Sequence, residues 1–181
     1  MKKSRVFEIA YVGLKSGEHL FEYQIDNTFL ERLGYEGEPL NNLDCKVNLR
    51  FNKLTNLFQL DFDFNGSAVV TCDRCGDDMN LEIWDEHKLI IKISFDDALE
   101  GPVEEDDVVF IPKHETVIDV SKWIYEFLLL SIPMQHVHGT GADGESLCNP
   151  EALKMLERFR EEQEKDQRQN IWKDLDKLKN N

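Results

Sequence analysis

A regular alternation of apolar and polar residues near the middle of the chain places the strongest constraint on its fold. Leu60, Phe62 and Phe64 are separated by Asp61 and Asp63. Successive side chains of a strand point to opposite faces of a sheet, so this pattern predicts a half-buried antiparallel strand. By the same criterion we expect strands at residues 6–14, 19–25, 43–51, 57–64, 67–72 and 81–95, with hairpin turns at 53–56 and 65–66.

Helix start signals occur at three places. Asp26 or Asn27 can cap a short helix that ends at Gly34, and Asp119 can cap one that extends to about residue 130. Asn149 followed by Pro150 is a favourable pair for beginning a third helix.

The predicted elements indicate an α+β fold. We expect an antiparallel β-meander or partly open barrel with a few helices, forming a single domain over residues 1–160. Residues 161–181 are predicted to form a polar connector and a C-terminal amphipathic helix. The apolar stripe of that helix consists of Ile171, Trp172, Leu175 and Leu178.

Composition and charge limit the classes of function. The chain of 181 residues is 41% hydrophobic, which is enough to form a core, and its formal net charge is −15. Because non-specific nucleic-acid binding depends on cations, the charge favours a basic protein partner over RNA. Residues 96–107 hold seven acidic residues and no basic one. This segment is either a solvated loop or a docking surface for a basic partner.

Two further observations indicate a cytoplasmic protein. Four cysteines in a chain of this length do not form a disulfide framework. The segment after Arg5 contains Glu8 and is too short for a signal sequence, and no run of residues is long enough to span a membrane.

A Cys-x-x-Cys pair, Cys72 and Cys75, ends the predicted strand at residues 67–72. A Gly-rich loop downstream carries His136, His138 and Cys148. Three thiols and one imidazole can form a tetrahedral zinc site, with at most one of the two histidines as a ligand. The alternative is that all of these cysteines are ordinary free thiols.

Other functions of the cysteine pair fit the sequence less well. In thioredoxin-like proteins the pair opens a helix, whereas here Gly76, Asp77 and Asp78 follow it. A zinc deaminase requires His-x-Glu and a proline before the first cysteine, and both are missing from this sequence.

The remaining candidates have simpler interpretations. Cys45 lies within a predicted strand, which favours a packed side chain. Arg74 is either an exposed spacer or a contact for phosphate or carboxylate. No catalytic motif stands out, and no small-molecule substrate is evident.

The segment from Val69 to Gly76, with its Cys-x-Arg-Cys core, resembles the YceD family of large-ribosomal-RNA accumulation proteins. The resemblance continues through the acidic segment, the predicted helix that ends at Ser131-Ile132-Pro133, His138 and Cys148. It extends to the C-terminal residues around Trp172.

The resemblance implies a non-catalytic ribosome-biogenesis factor that supports accumulation of 23S ribosomal RNA and assembly of the large subunit. The implied partners are a basic ribosomal protein, precursor 23S RNA or both, contacted through Arg74. Cys72, Cys75, His138 and Cys148 are the implied ligands of a structural zinc ion. The alternatives are a metal-dependent RNA-processing enzyme and a plain RNA-binding module.

Overall fold

The computed structural model describes residues 5–96, 100–105 and 108–179, with side chains through residue 165 apart from that of residue 105. The chain forms two compact units, Met1–Val70 with Asn80–Met134 and Thr71–Met79 with Gln135–Asn181. The division into a domain over 1–160 and a C-terminal segment over 161–181 stays a prediction.

The described chain contains eight strands and three α-helices. In chain order they are β1 Glu8–Ile9, β2 Gly17–Asp26, α1 Asn27–Arg32, β3 Asn41–Lys53, β4 Leu57–Thr71, β5 Asp78–Ser94, β6 Val103–Glu105, β7 Val108–Pro112, β8 Ile118–Asp119, α2 Ser121–Leu130 and α3 Pro150–Lys179.

Most strands belong to one six-stranded sheet, whose strand order is β2-β3-β4-β5-β7-β6. The β2–β3, β3–β4 and β6–β7 pairs are antiparallel, while β5 and β7 are parallel. β1 and β8 form a separate antiparallel pair. The predicted α+β class is therefore confirmed, and the described sheet is not a closed barrel because β2 and β6 are its edges.

The core follows the predicted alternation along the strands. Phe58, Leu60, Phe62 and Phe64 of β4 are all buried. Fully burying a side chain of this size contributes about 1.5–3 kcal/mol to the free energy of folding. The buried face of β4 therefore makes a large contribution to the stability of the sheet. Cys45 of β3 is also fully buried, which fits its interpretation as a packed residue.

The hairpin predicted at residues 65–66 is wrong, because β4 continues through both residues as one long strand. Gly66 lies directly opposite Cys45 in β3. A Cβ atom at Gly66 would lie 2.3 Å from the carbonyl oxygen of Asp44 and 2.5 Å from the Cα of Cys45. The glycine therefore permits a close approach of two strands rather than a chain reversal.

The strand predicted at residues 6–14 is largely wrong. This segment contains two short 3₁₀ turns, Arg5–Phe7 and Tyr11–Gly13, on either side of the two-residue β1. Its apolar side chains pack against other rings and do not form one face of a long strand. Phe7, for example, stacks on Tyr23 with 5.1 Å between the ring centroids. In the described part of the chain β1 pairs with the equally short β8 alone, so a ladder of two residue pairs is all that keeps the segment extended.

The helices begin close to the predicted positions, but the N-cap of α2 is Val120, which makes no side-chain cap bond, and not the predicted Asp119. Asp26 caps α1 by accepting a hydrogen bond from the Phe29 N–H at 3.0 Å. Asp119 accepts one from the Ser121 N–H at 3.0 Å, where α2 begins. The α3 backbone is one continuous helix, and the side chains of its predicted stripe at residues 171–178 lie outside the described part.

Candidate metal centre

A tight turn joins β4 to β5 and carries both cysteines of the pair. The Cys72 N–H donates to the Asp77 carbonyl, and the Gly76 N–H donates to the Cys72 carbonyl, both at 2.9 Å. Gly76 has a φ of 79°, a left-handed conformation that glycine adopts without steric cost. The turn therefore closes on itself and holds the two sulfurs close together.

Asp73 joins this turn to the Gly-rich loop. Its backbone N–H donates to the His136 carbonyl at 2.7 Å, and its Oδ2 accepts from the His136 N–H at 2.6 Å. These two bonds fix the loop backbone two residues before His138, which places the His138 ring beside the cysteine turn.

A second link holds the end of the loop. Asn149 caps α3, because its Oδ1 accepts from the Glu151 N–H at 3.0 Å. Its Nδ2 donates to the Asp77 carboxylate at 3.1 Å. One asparagine thus connects the start of α3 to the cysteine turn and fixes the neighbouring Cys148.

These links bring four potential ligands together. The sulfurs of Cys72, Cys75 and Cys148 and a ring nitrogen of His138 all lie within 4.8 Å of one another. Cys72 and Cys148 have their sulfurs 3.9 Å apart, and the Cys75 sulfur is 3.4 Å from His138 Nδ1. Cys72 and Cys148 are buried, whereas Cys75 and His138 are half-buried.

The spacing of these atoms fits a tetrahedral zinc ion. Zinc–sulfur bonds of about 2.3 Å and zinc–nitrogen bonds of about 2.0 Å place tetrahedral ligands about 3.8 Å apart for two sulfurs and about 3.5 Å for sulfur and nitrogen. The observed 3.9 Å and 3.4 Å are close to both values. The 3.9 Å separation is almost twice a disulfide bond length, and all four cysteines are free thiols.

Backbone N–H groups surround the two sulfurs of the pair. Burial by itself would raise the pKa of Cys72, but the N–H groups of His138, Cys75 and Arg74 and the Cys75 thiol lower it to about 6. The N–H groups of Asn149 and Asp77 likewise act to lower the pKa of Cys75. Burial and the nearby Cys72 sulfur outweigh them, so the pKa of Cys75 is raised. This shell of donors suits thiolate ligands, whose negative charge it stabilises.

The structure distinguishes the two histidines of the loop. His138 is a member of the four-residue cluster, whereas His136 contributes its backbone to the link with Asp73. Cys45 lies in β3 and is outside this cluster, and burial raises its pKa to about 11.

Arg74 projects from the turn and is exposed. It lines a groove of about 550 Å³ along α3, together with Leu156, Glu157, Arg160 and Glu161. Its side chain makes no hydrogen bond or ion pair with the described residues, so its guanidinium is available to an outside group.

Residues 60–179 match the family model described as Large ribosomal RNA subunit accumulation protein YceD. The chain belongs to the YceD family. The match covers more than half of the chain and includes all four residues of the cluster as well as Arg74. Neither the curated proteins nor the solved structures include a significant match to the chain.

The YceD family is named for accumulation of the large ribosomal RNA subunit, so the chain is assigned to ribosome biogenesis. None of the helices in the described residues is long and apolar enough to cross a membrane.

Sequence reasoning missed the residues that assemble the cluster. The sequence indicates Asp77 only as a residue that follows the cysteine pair and Asn149 only as a helix cap, and it assigns no role to Asp73. Their links to the loop and the turn have no spacing signature, because each is a contact between segments more than 60 residues apart.

Proposed function

We propose that this YceD-family protein is a non-catalytic assembly factor that supports accumulation of 23S ribosomal RNA and the large subunit in the cytoplasm. The observation that carries the proposal is the family match over residues 60–179, which contains the whole cysteine–histidine cluster. Cys72, Cys75, His138 and Cys148 bind a zinc ion, which stabilises the fold of the Gly-rich loop on the cysteine turn.

The composition of the cluster supports a structural role for the ion. Three thiolates and one imidazole fill all four tetrahedral positions, whereas a catalytic zinc keeps one position for water or substrate. A saturated site contributes folding free energy and no reactive water. Its effect is to fix the backbone around Arg74, whose exposed side chain contacts a carboxylate or phosphate of the partner.

The charge of the chain supports a basic partner. A net charge of −15 attracts cationic surfaces and repels the phosphates of bare RNA. We therefore infer that the primary partner is a basic protein of the large subunit. The YceD-family protein associates with precursor 23S RNA by binding this partner.

Co-purification in moderate salt tests this function. A tagged protein recovered from cells should enrich large-subunit proteins and precursor RNA over small-subunit components. Depletion of the protein should lower the ratio of large- to small-subunit RNA. Equal recovery of both subunits, or an unchanged RNA ratio, would contradict the proposal.

An RNA-processing enzyme is the competing function, and it needs carboxylates that converge on Mg²⁺. Incubation of the purified protein with precursor 23S RNA and Mg²⁺ distinguishes this enzyme from a non-catalytic assembly factor. We expect the RNA to remain intact, and specific cleavage that is lost on chelation would favour the enzyme.

A further inference from the structure

A small cleft with acidic rim residues lies in the unit that contains the sheet. Its volume is about 370 Å³, at the small end of the roughly 300–1,000 Å³ usual for ligand sites. The apolar residues Ile111, Val117 and Trp123 are among those that line it. Three carboxylate residues, Glu8, Glu115 and Asp119, also line it, and none of the lining residues is cationic.

The carboxylates at this cleft have no ion-pair partner among the described residues, although Asp119 accepts a hydrogen bond from the Ser121 N–H. Glu8 and Asp119 are direct partners in the β1–β8 pair, and like charges at such positions destabilise a sheet. Neither residue, nor Glu115, makes an ion pair with the described part of the chain. Lys122, the nearest cation along α2, is paired with Glu126 at 3.4 Å.

Neighbouring tyrosines are affected by the same charges. Burial raises the pKa of Tyr23, and the charge of Asp119 raises it further. Burial and the charge of Glu115 raise the pKa of Tyr11 in the same way. Both shifts come in part from the negative charge of residues that line the cleft.

The spacing of the three carboxylates argues against a small metal ion. Among the described residues, their oxygens do not form a set of ligand atoms within 4.8 Å of one another. A guanidinium group is wider than a metal ion and can bridge carboxylates that are further apart.

We propose that this cleft binds an arginine side chain from a basic polypeptide segment of the partner. Its aliphatic stem packs against Val117, which is half-buried. Its guanidinium contacts the Trp123 ring and pairs with Glu115 and Asp119. Pro102 also lines the cleft, and Glu100 and Glu104, its exposed neighbours along the chain, add negative charge close to it in sequence. This inference rests on the proposed function, in which the partner is a basic protein.

Calorimetric titration with a synthetic peptide of Arg-Gly repeats tests the cleft. We expect Glu115→Gln/Asp119→Asn to weaken binding at least about fivefold at physiological ionic strength. Glu18→Gln/Glu86→Gln removes the same charge from exposed positions on other strands and should change the affinity less than about twofold. If the two variants lose affinity for the peptide equally, the loss is due to net charge alone, and this result would overturn the proposal. Equal affinity for a Lys-Gly peptide would overturn the preference for arginine.

A second measurement uses the unmodified protein and does not depend on the folding of a variant. During the titration, the indole N–H resonance of Trp123 should shift, whereas that of Trp84, which is 77% exposed on β5, should not. A shift at Trp84 alone, or at neither ring, would contradict the assignment of the cleft.

Co-purification with the same variants separates this inference from the proposed function. If the unmodified protein enriches large-subunit components and the Glu115→Gln/Asp119→Asn variant does so equally, only the cleft is wrong. If the unmodified protein enriches none, the proposed function itself fails.

Discussion

Asp73 and His136 are joined by two hydrogen bonds, one from the Asp73 N–H at 2.7 Å and one to its carboxylate at 2.6 Å. This pair connects the residue between the two cysteines of the turn to the loop that carries His138. It therefore positions a ring nitrogen near three sulfurs without itself belonging to the cluster.

Asp73→Ala should weaken zinc binding because it removes the carboxylate that holds the His136 N–H. A hydrogen bond of this kind contributes about 1 kcal/mol at an exposed position, which corresponds to about a fivefold loss of affinity. Competition with a chromogenic chelator measures the change. Asp78→Ala removes an exposed charge from the same region and should leave the affinity unaltered, and an equal loss in both would show a general electrostatic effect.

Asn149→Ala should destabilise the protein by about 1–2 kcal/mol, because it removes both the α3 cap and the bond to Asp77. Asn149→Ser keeps an acceptor for the Glu151 N–H and loses only the bond to Asp77, so it should recover part of the stability. Urea unfolding of the zinc-loaded protein gives both values. Equal stability of the two variants would show that the cap contributes nothing.

Gly66→Ala should destabilise the sheet by about 2 kcal/mol or more, because the added Cβ would lie 2.3 Å from the Asp44 carbonyl oxygen. Gly13→Ala is the matched control, since a Cβ there meets no atom within 4 Å. Thermal unfolding of the two variants compares them. A Gly66→Ala protein as stable as the control would contradict the close approach of β3 and β4.

The capping carboxylate of Asp26 should make the free energy of unfolding depend measurably on pH. Hydrogen bonds from the Thr28 hydroxyl and the Phe29 N–H lower the pKa of Asp26 below its unfolded value of about 3.9. Its contribution is complete above that unfolded value and is lost as pH falls through the folded pKa.

Asp26→Asn keeps a cap acceptor at every pH and removes this titration. The difference in unfolding free energy between the unmodified protein and this variant should therefore shrink below about pH 4. A difference that stays constant down to pH 2 would contradict the cap.

The sequence predicted the fold class, most strands and the approximate helix starts because each depends on local periodicity or on one local hydrogen bond. It failed at residues 65–66 and 6–14, where glycine and apolar alternation serve packing against distant strands. An Asn-Gly pair permits a turn, and only the opposing Cys45 shows that Gly66 has another role.

The four cluster residues were assigned through the family resemblance, and spacing alone left both free thiols and either histidine open. The contacts of Asp73 and Asn149 explain why His138 and Cys148 reach the turn. Such long-range contacts between polar side chains have no periodic pattern, so a single sequence does not reveal them.

Zinc content, measured by elemental analysis and native mass spectrometry on protein purified without chelators or a histidine tag, tests the central claim most directly. We expect about one zinc per chain in the unmodified protein and in Cys45→Ser. Cys72→Ser and Cys148→Ser should each retain far less. Less than about half an equivalent in the unmodified protein, or full zinc content after loss of Cys72, would contradict the account.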